Sequence, residues 1–201
     1  MIHKVQYITQ GKTPEDHLEN IQKACVAGIG WVQLRLKNYD AKTILETAKK
    51  ARAITNRFET KLVINDHYKI VKEVKADGVH LGKTDECPLK VRAFLGASFL
   101  IGGTANTFED CLLLLDEKVD YIGLGPYQFT KTKKNLSPVL GVEGYKNLLE
   151  KLQTETPIIA IGGIALEDVS KIINTGIYGI AVSGTITNDV VNIAKFQEIL
   201  N

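Results

Sequence analysis

Gln33, Arg35 and Lys37 alternate with Val32, Leu34 and Leu36 in the segment WVQLRLK. Successive side chains of a strand point to opposite faces. One face of this segment is therefore aliphatic, and the other carries an amide and two cations. If helices cover the aliphatic face, the cations point into the core. An unpaired buried charge is costly, so an anion or carboxylates must lie beside it. The pattern suits a site for a negatively charged ligand.

Two carboxylates are placed to join it, Asp66 at the end of KLVIND and Asp85 at the end of GVHLGKTD. Neither belongs to a cysteine or histidine cluster, which suits a hard cation with oxygen ligands. Magnesium takes one or two carboxylates and completes its shell with water and substrate phosphate. Asp66 alone would read as a helix N-cap before His67-Tyr68, and Asp85 alone as a turn residue. Both acids near Arg35 and Lys37 favour a metal with a polyphosphate.

A second anion site is indicated by Gly162-Gly163 in AIGGI and by Val182-Ser183-Gly184 in AVSG. Glycines let backbone amides approach an anion closely, and Ser183 adds a hydroxyl. Either glycine cluster by itself would read as a tight turn. The loop GPYQFTKTKK over 125–134 brings Thr130, Thr132 and Lys133 together. Hydroxyls and ammonium groups on such a loop can clamp phosphate oxygens and shield a site from water. Its lysines alone would suit a solvated basic loop.

Histidine carries less. His80 alternates with Val79 and Leu81 and reads as an inward-facing core residue, while His67 follows Asp66 and is within reach of a ligand. His3 and His17 show no partner in the sequence. No Ser-His-Asp or Cys-His pairing offers a covalent nucleophile.

The elements that must position these residues alternate along the whole chain. Short β-branched runs (KVQYIT, WVQLRLK, KLVIND, GVHLG, FLIGGT, DYIGLGP, PIIAIGG, YGIAVSG) are separated by amphipathic stretches. Helices are expected over 40–58, with Asp40 as N-cap, and over 107–118, 141–153 and 166–175, the last stopped by Gly176. Eight such units without a linker predict an α/β fold, a (β/α)8 TIM barrel forming one domain over residues 1–201. A doubly wound open sheet is the runner-up, because periodicity does not prove closure. A barrel puts its site at the carboxyl ends of its strands, and those ends are polar here: Lys37, Asn65-Asp66, Lys83 to Asp85, and Thr104 to Thr107.

Composition fits this picture. The chain has 201 residues, 44% hydrophobic, with a net charge of +2, so no broad basic field points to nucleic acid. No segment reads as a signal peptide or a membrane span. Cys25, Cys87 and Cys111 are odd in number and scattered, which fits a reducing cytoplasm rather than a disulfide framework. Cys25 and Cys111 read as core residues and Cys87 as a bystander. The expected partners are small molecules, with a homo-oligomer allowed.

Taken in order, QLRLK (33–37), INDH (64–67), GVHLGKTD (78–85), GPYQFTKTK (125–133), AIGGI (160–164) and AVSG (181–184) resemble the signatures of the thiamine phosphate synthase family. That family joins 4-amino-5-hydroxymethyl-2-methylpyrimidine diphosphate to a thiazole phosphate and releases diphosphate. The resemblance implies that Gln33, Arg35 and Lys37 hold the pyrimidine diphosphate, with Asn65 and Lys133 beside it. It implies Mg2+ on Asp66 and Asp85. Thr130, Thr132, Gly163, Val182 and Ser183 would surround the thiazole phosphate. Thr104 stands where the family usually has serine. Arg35, Lys37, Lys133 and Thr104 are the residues expected to act in catalysis.

Three positions depart from the family. His67 replaces a common arginine, Lys83 adds a cation, and Asn106 stands where histidine is frequent. A thiazole tautomerase on the same barrel and a non-catalytic barrel that binds thiamine intermediates are the rival readings. A tautomerase needs a proton-transferring residue, and a sensor needs no stabilised leaving group, so the paired acids and the lid lysine favour the synthase. A phosphosugar isomerase or aldolase would explain the glycines but not QLRLK.

Overall fold

The computed structural model describes residues 2–129 and 138–200. The chain opens with β1 (Val5–Ile8), α1 (Pro14–Val26), β2 (Trp31–Leu34), α2 (Ala41–Asn56) and β3 (Lys61–Asn65). It continues with α3 (Val71–Val74), β4 (Gly78–Leu81), α4 (Pro88–Leu95), β5 (Leu100–Ala105), α5 (Phe108–Asp116) and β6 (Tyr121–Leu124). The last part holds α6 (Gly141–Leu152), β7 (Ile158–Ile161), α7 (Val169–Ile173), β8 (Gly179–Val182), α8 (Gly184–Asn188) and α9 (Asn192–Leu200). Every strand pairs in parallel with the next, and β8 returns to β1 with Val182 opposite Tyr7, closing the barrel. The open-sheet alternative is thereby excluded.

The alternation in β2 sorts side chains as its pattern required. Val32, Leu34 and Leu36 join Ile44, Ala48 and Ala51 of α2 in the layer between strands and helices. The barrel interior is a separate cluster of Ile8, Trp31, Val63, Tyr121, Ile159 and Ala181. Polar caps hold the helices to this frame. Asp40 accepts from Thr43 N at 3.0 Å, and Thr13 and Thr107 form capping boxes with Asp16 and Asp110.

Two elements are shorter than their sequence patterns suggest. β2 stops at Leu34, opposite Ile64, and the next amide, Arg35 N, donates instead to Thr9 Oγ1 at 3.1 Å. The side chain of the residue just after β1 thus takes the place of a ladder partner, and Arg35 and Lys37 sit on the segment rising from the strand. The helix expected over 166–175 begins as a 3-10 turn, Leu166–Asp168, because the Asp168 carboxylate folds back to accept from Ala165 N at 2.9 Å. Gly176 does follow it in the left-handed region, φ +95°.

At the opposite end of the barrel, Asp77 and Asp120 serve the frame. Asp77 accepts from Leu62 N and Arg52, at 2.8 and 2.6 Å. Asp120 accepts in the same way from Ile101 N and Arg92, at 2.7 and 2.5 Å.

Candidate active site

The carboxyl ends of the strands open into a pocket of about 1160 Å3. Gln33, Arg35, Lys37, Asn65, Asp66, Thr104, Gly163, Val182 and Ser183 all line it. Thr130, Thr132 and Lys133 lie outside the described residues. The strand-end segments therefore converge as the barrel reading required, and they do so in two chemically different halves.

The first half is built on β2, β3 and β4. Gln33 is fully buried, and its Nε2 donates to Gln6 Oε1 at 3.2 Å. Asn65 is buried beside the pocket, and its Nδ2 has no hydrogen-bond partner among the described residues. That donor costs free energy until something accepts from it. Burial pulls the Arg35 pKa below its ordinary value, and Asp66 opposes the shift. At the rim, Lys37 forms an ion pair with Asp66. The row Gln33, Arg35, Lys37 thus climbs from floor to rim.

Asp66 is held in the left-handed backbone region, φ +63°, which costs a residue with a Cβ about 1–2 kcal/mol. It is not a side-chain N-cap for the turn that follows. Asp66 N donates to His80 O at 2.8 Å, so β4 fixes this turn. Asp85 does close a turn, accepting from Gly82 N at 2.6 Å, and its carboxyl lies beside that of Asp66. Burial opposes ionisation of both acids. For Asp66 the Asp85 carboxyl and the Lys37 ammonium outweigh burial and hold it below the usual carboxylate value. For Asp85 burial and the neighbouring Asp66 act together and raise it.

Two acids this close, one of them disfavoured as an anion, mark a place that a cation can occupy. Among the described residues no group of three or more His, Cys, Asp or Glu could hold a metal ion. Two adjacent carboxylates nevertheless fit magnesium, which draws its remaining ligands from water and phosphate oxygens.

The second half is made by β7 and β8. Gly162 and Gly163 both have positive φ, +99° and +71°. A Cβ on Gly163 would lie 2.8 Å from Phe129 O, so the turn accepts no larger residue without movement. Ser183 Oγ donates to Gln10 Oε1 at 3.3 Å, and Thr185 Oγ1 donates to Ile164 O at 2.9 Å. This half has backbone amides and hydroxyls where the first half has charges, which suits a phosphate ester.

Between the halves, Thr104 Oγ1 lies 2.9 Å from His80 Nε2. Asn106 lines the pocket and donates through Nδ2 to Gly125 O. His67 is exposed and does not line the pocket, and Lys83 turns away to pair with Asp110 at 2.8 Å. The extra cation therefore braces α5 rather than the ligand site.

One wall escaped the sequence reading. Thr9, Gln10, Gly11 and Lys12 follow β1 and line the pocket, as does His17. His17 is buried, with Nδ1 2.7 Å from Thr9 Oγ1, so it does have a partner. The signal was present: a polar, glycine-bearing run directly after the first strand, at the same barrel end as the others. Of the cysteines, Cys25 and Cys111 are buried in the core, and Cys87 Sγ contacts Glu117 Oε1 at 3.1 Å.

Comparison with known proteins agrees with the site. A family model described as thiamine monophosphate synthase matches residues 5–186. A thiamine-phosphate synthase of Flavobacterium psychrophilum is 48% identical over 190 residues, spanning 93% of this chain and 92% of its own. One of Phocaeicola vulgatus is 41% identical over 201 residues, covering 98% and 97%. Among solved structures, thiamine phosphate pyrophosphorylase from Pyrococcus furiosus superposes with a TM-score of 0.84 at 26% identity, covering 98% and 95% of the two chains.

Proposed function

The chain belongs to the thiamine monophosphate synthase family and is a transferase, and from that premise we propose how its site works. The two substrates are 4-amino-5-hydroxymethyl-2-methylpyrimidine diphosphate and 4-methyl-5-(2-phosphoethyl)thiazole, the latter with or without a ring carboxylate. The observation that carries this reading is the division of one pocket into a charged half at Arg35, Lys37 and Asp66 and an amide-and-hydroxyl half at Gly163 and Ser183. A diphosphate belongs in the first and a phosphate ester in the second.

Gln33 and Asn65 orient the pyrimidine ring from the pocket floor. Arg35 and Lys37 neutralise the diphosphate, with Lys133 added from the loop. Asp66 and Asp85 are the residues that would hold magnesium, which when bound supplies further charge neutralisation for the leaving diphosphate.

The bond between the pyrimidine methylene carbon and the diphosphate oxygen breaks first, and its electron pair leaves with the diphosphate. The methylene cation shares its charge with the ring amino group. The thiazole nitrogen, held opposite by its phosphate at Gly163 and Ser183, then donates its lone pair to that carbon. Where the ring carries a carboxylate, that group leaves as CO2 and a proton from water takes its place on the ring carbon. No protein base is required, because the nitrogen carries no proton to lose. Positioning and electrostatic stabilisation supply the rate.

The direct test is incubation of purified protein with both substrates and magnesium, followed by chromatography for thiamine phosphate. Absence of product at saturating substrate would overturn the reading.

A further inference from the structure

A row of polar side chains runs from the barrel core up to the pocket, where His80 and Thr104 join its lining. Tyr121 is fully buried at the centre of the barrel, packed edge-on to Trp31 with ring centroids 4.8 Å apart. Its hydroxyl lies 3.1 Å from His80 Nδ1, and the other imidazole nitrogen, Nε2, lies 2.9 Å from Thr104 Oγ1. Buried polar networks carry a stability cost unless each member is satisfied, so a chain of this kind inside a barrel needs a reason.

The space around it is reserved by glycine. A Cβ on Gly102 would fall 2.1 Å from the Tyr121 ring, and one on Gly123 would fall 3.1 Å from His80 Cε1. Glycine within a strand weakens it and marks close approach by another group. Two strand positions are thus given up to seat one phenol and one imidazole.

The direction of the hydrogen bonds follows from the inventory of donors. Gln33 Nε2 donates to Gln6 Oε1 at 3.2 Å, while Gln6 Nε2 has no hydrogen-bond partner among the described residues. In a neutral imidazole one nitrogen accepts and the other donates, and a phenol O–H is a stronger donor than an imidazole N–H. The Tyr121 proton therefore goes to His80 Nδ1. Burial pushes the phenol far above its ordinary pKa, so that proton stays in place. His80 then carries hydrogen on Nε2 and donates it to Thr104 Oγ1. With its oxygen accepting from below, the Thr104 hydroxyl turns its own hydrogen toward the pocket.

We propose that Tyr121 is a positioning residue: through His80 it fixes Thr104 as a hydrogen-bond donor to the bound pyrimidine diphosphate. This rests on the reading of the site given above for the identity of the ligand, but not for the relay itself.

The test has two arms. In a double-mutant cycle, Tyr121→Phe is expected to lower kcat/KM about 5- to 10-fold and Thr104→Val by at least as much. In the Thr104→Val background, Tyr121→Phe should have no further effect, because the donor it orients is gone. Multiplying losses would show a merely structural role and overturn the proposal. The second arm needs no turnover. Long-range 1H–15N spectra of the whole protein, with His80 assigned by substitution, should show hydrogen on Nε2 in the wild type and a mixture of tautomers in Tyr121→Phe. Hydrogen on Nδ1 in the wild type would overturn the relay even if the Phe variant fails to fold. A protein with the Nε2 tautomer but no synthase activity would instead refute the substrate assignment and leave the relay standing.

Discussion

Asp66, which follows β3, and Asp85, which follows β4, sit close enough to move each other's ionisation, Asp66 downward and Asp85 upward. Lys37, from the segment after β2, pairs with Asp66 as well. Three strand ends therefore meet at one point on the rim of the barrel. Two adjoining acids repel when both ionise, and Lys37 offsets only part of that repulsion. A divalent ion held by Asp66 and Asp85 would offset the rest.

Asp85→Asn tests this through stability. The folded-state pKa of Asp85 is raised, so its ionisation weakens the fold above that raised value and does nothing below the ordinary carboxylate value. Without metal, the Asn variant should melt at or above the wild type at neutral pH. The gap should close as pH falls through the ordinary carboxylate range. Magnesium should raise the melting temperature of the wild type and leave the variant nearly unmoved. Thermal melts with magnesium or chelator, at neutral and mildly acidic pH, check both points; an equal magnesium response would remove Asp85 from the metal site.

Asp85→Ala and Lys133→Ala should each reduce turnover about 100-fold or more, the scale of losing one group that stabilises transition-state charge. Melting temperatures should move little. Steady-state rates beside melting curves check this, and near-normal turnover in both variants would contradict the electrostatic mechanism.

Gly163→Ala attacks the other half of the pocket. The residue has φ +71°, and its Cβ would meet Phe129 O at 2.8 Å. The left-handed conformation alone should cost about 1–2 kcal/mol. The KM for thiazole phosphate should rise more than that for pyrimidine diphosphate. Equal effects on both would show that this turn does not hold the phosphate ester.

Asp77→Ala separates frame from chemistry. Its carboxylate accepts from Leu62 N and Arg52 at the end of the barrel away from the pocket. Losing hydrogen bonds to a charged group should cost about 1.5–3 kcal/mol. Denaturant unfolding should show that loss, while kcat well below the melting temperature stays at the wild-type level.

Much of this was legible because barrel geometry converts order along the chain into position around a ring. The strand alternation at Val32 to Lys37 located both the helix-facing layer and the charged wall. The paired acids and the two glycine turns followed from lying at strand ends. What stayed hidden depends on contacts between distant strands. Thr9 ends β2 early by accepting from Arg35 N, and nothing within WVQLRLK signals that. The partner of His17 is that same Thr9. Gly102 and Gly123 read as ordinary strand residues until Tyr121 and His80 are seen against them. His80 faces inward and is buried, as its alternation with Val79 and Leu81 indicates, but it also lines the pocket, and its link to Thr104 requires β4 and β5 to be in register, His80 opposite Gly102.

The most direct measurement is diphosphate release from the purified protein, with pyrimidine diphosphate, thiazole phosphate and magnesium each omitted in turn. The expected result is release that needs all three, with thiamine phosphate formed in equal amount. Tight binding of thiazole phosphate with no diphosphate release under any condition would contradict the synthase mechanism.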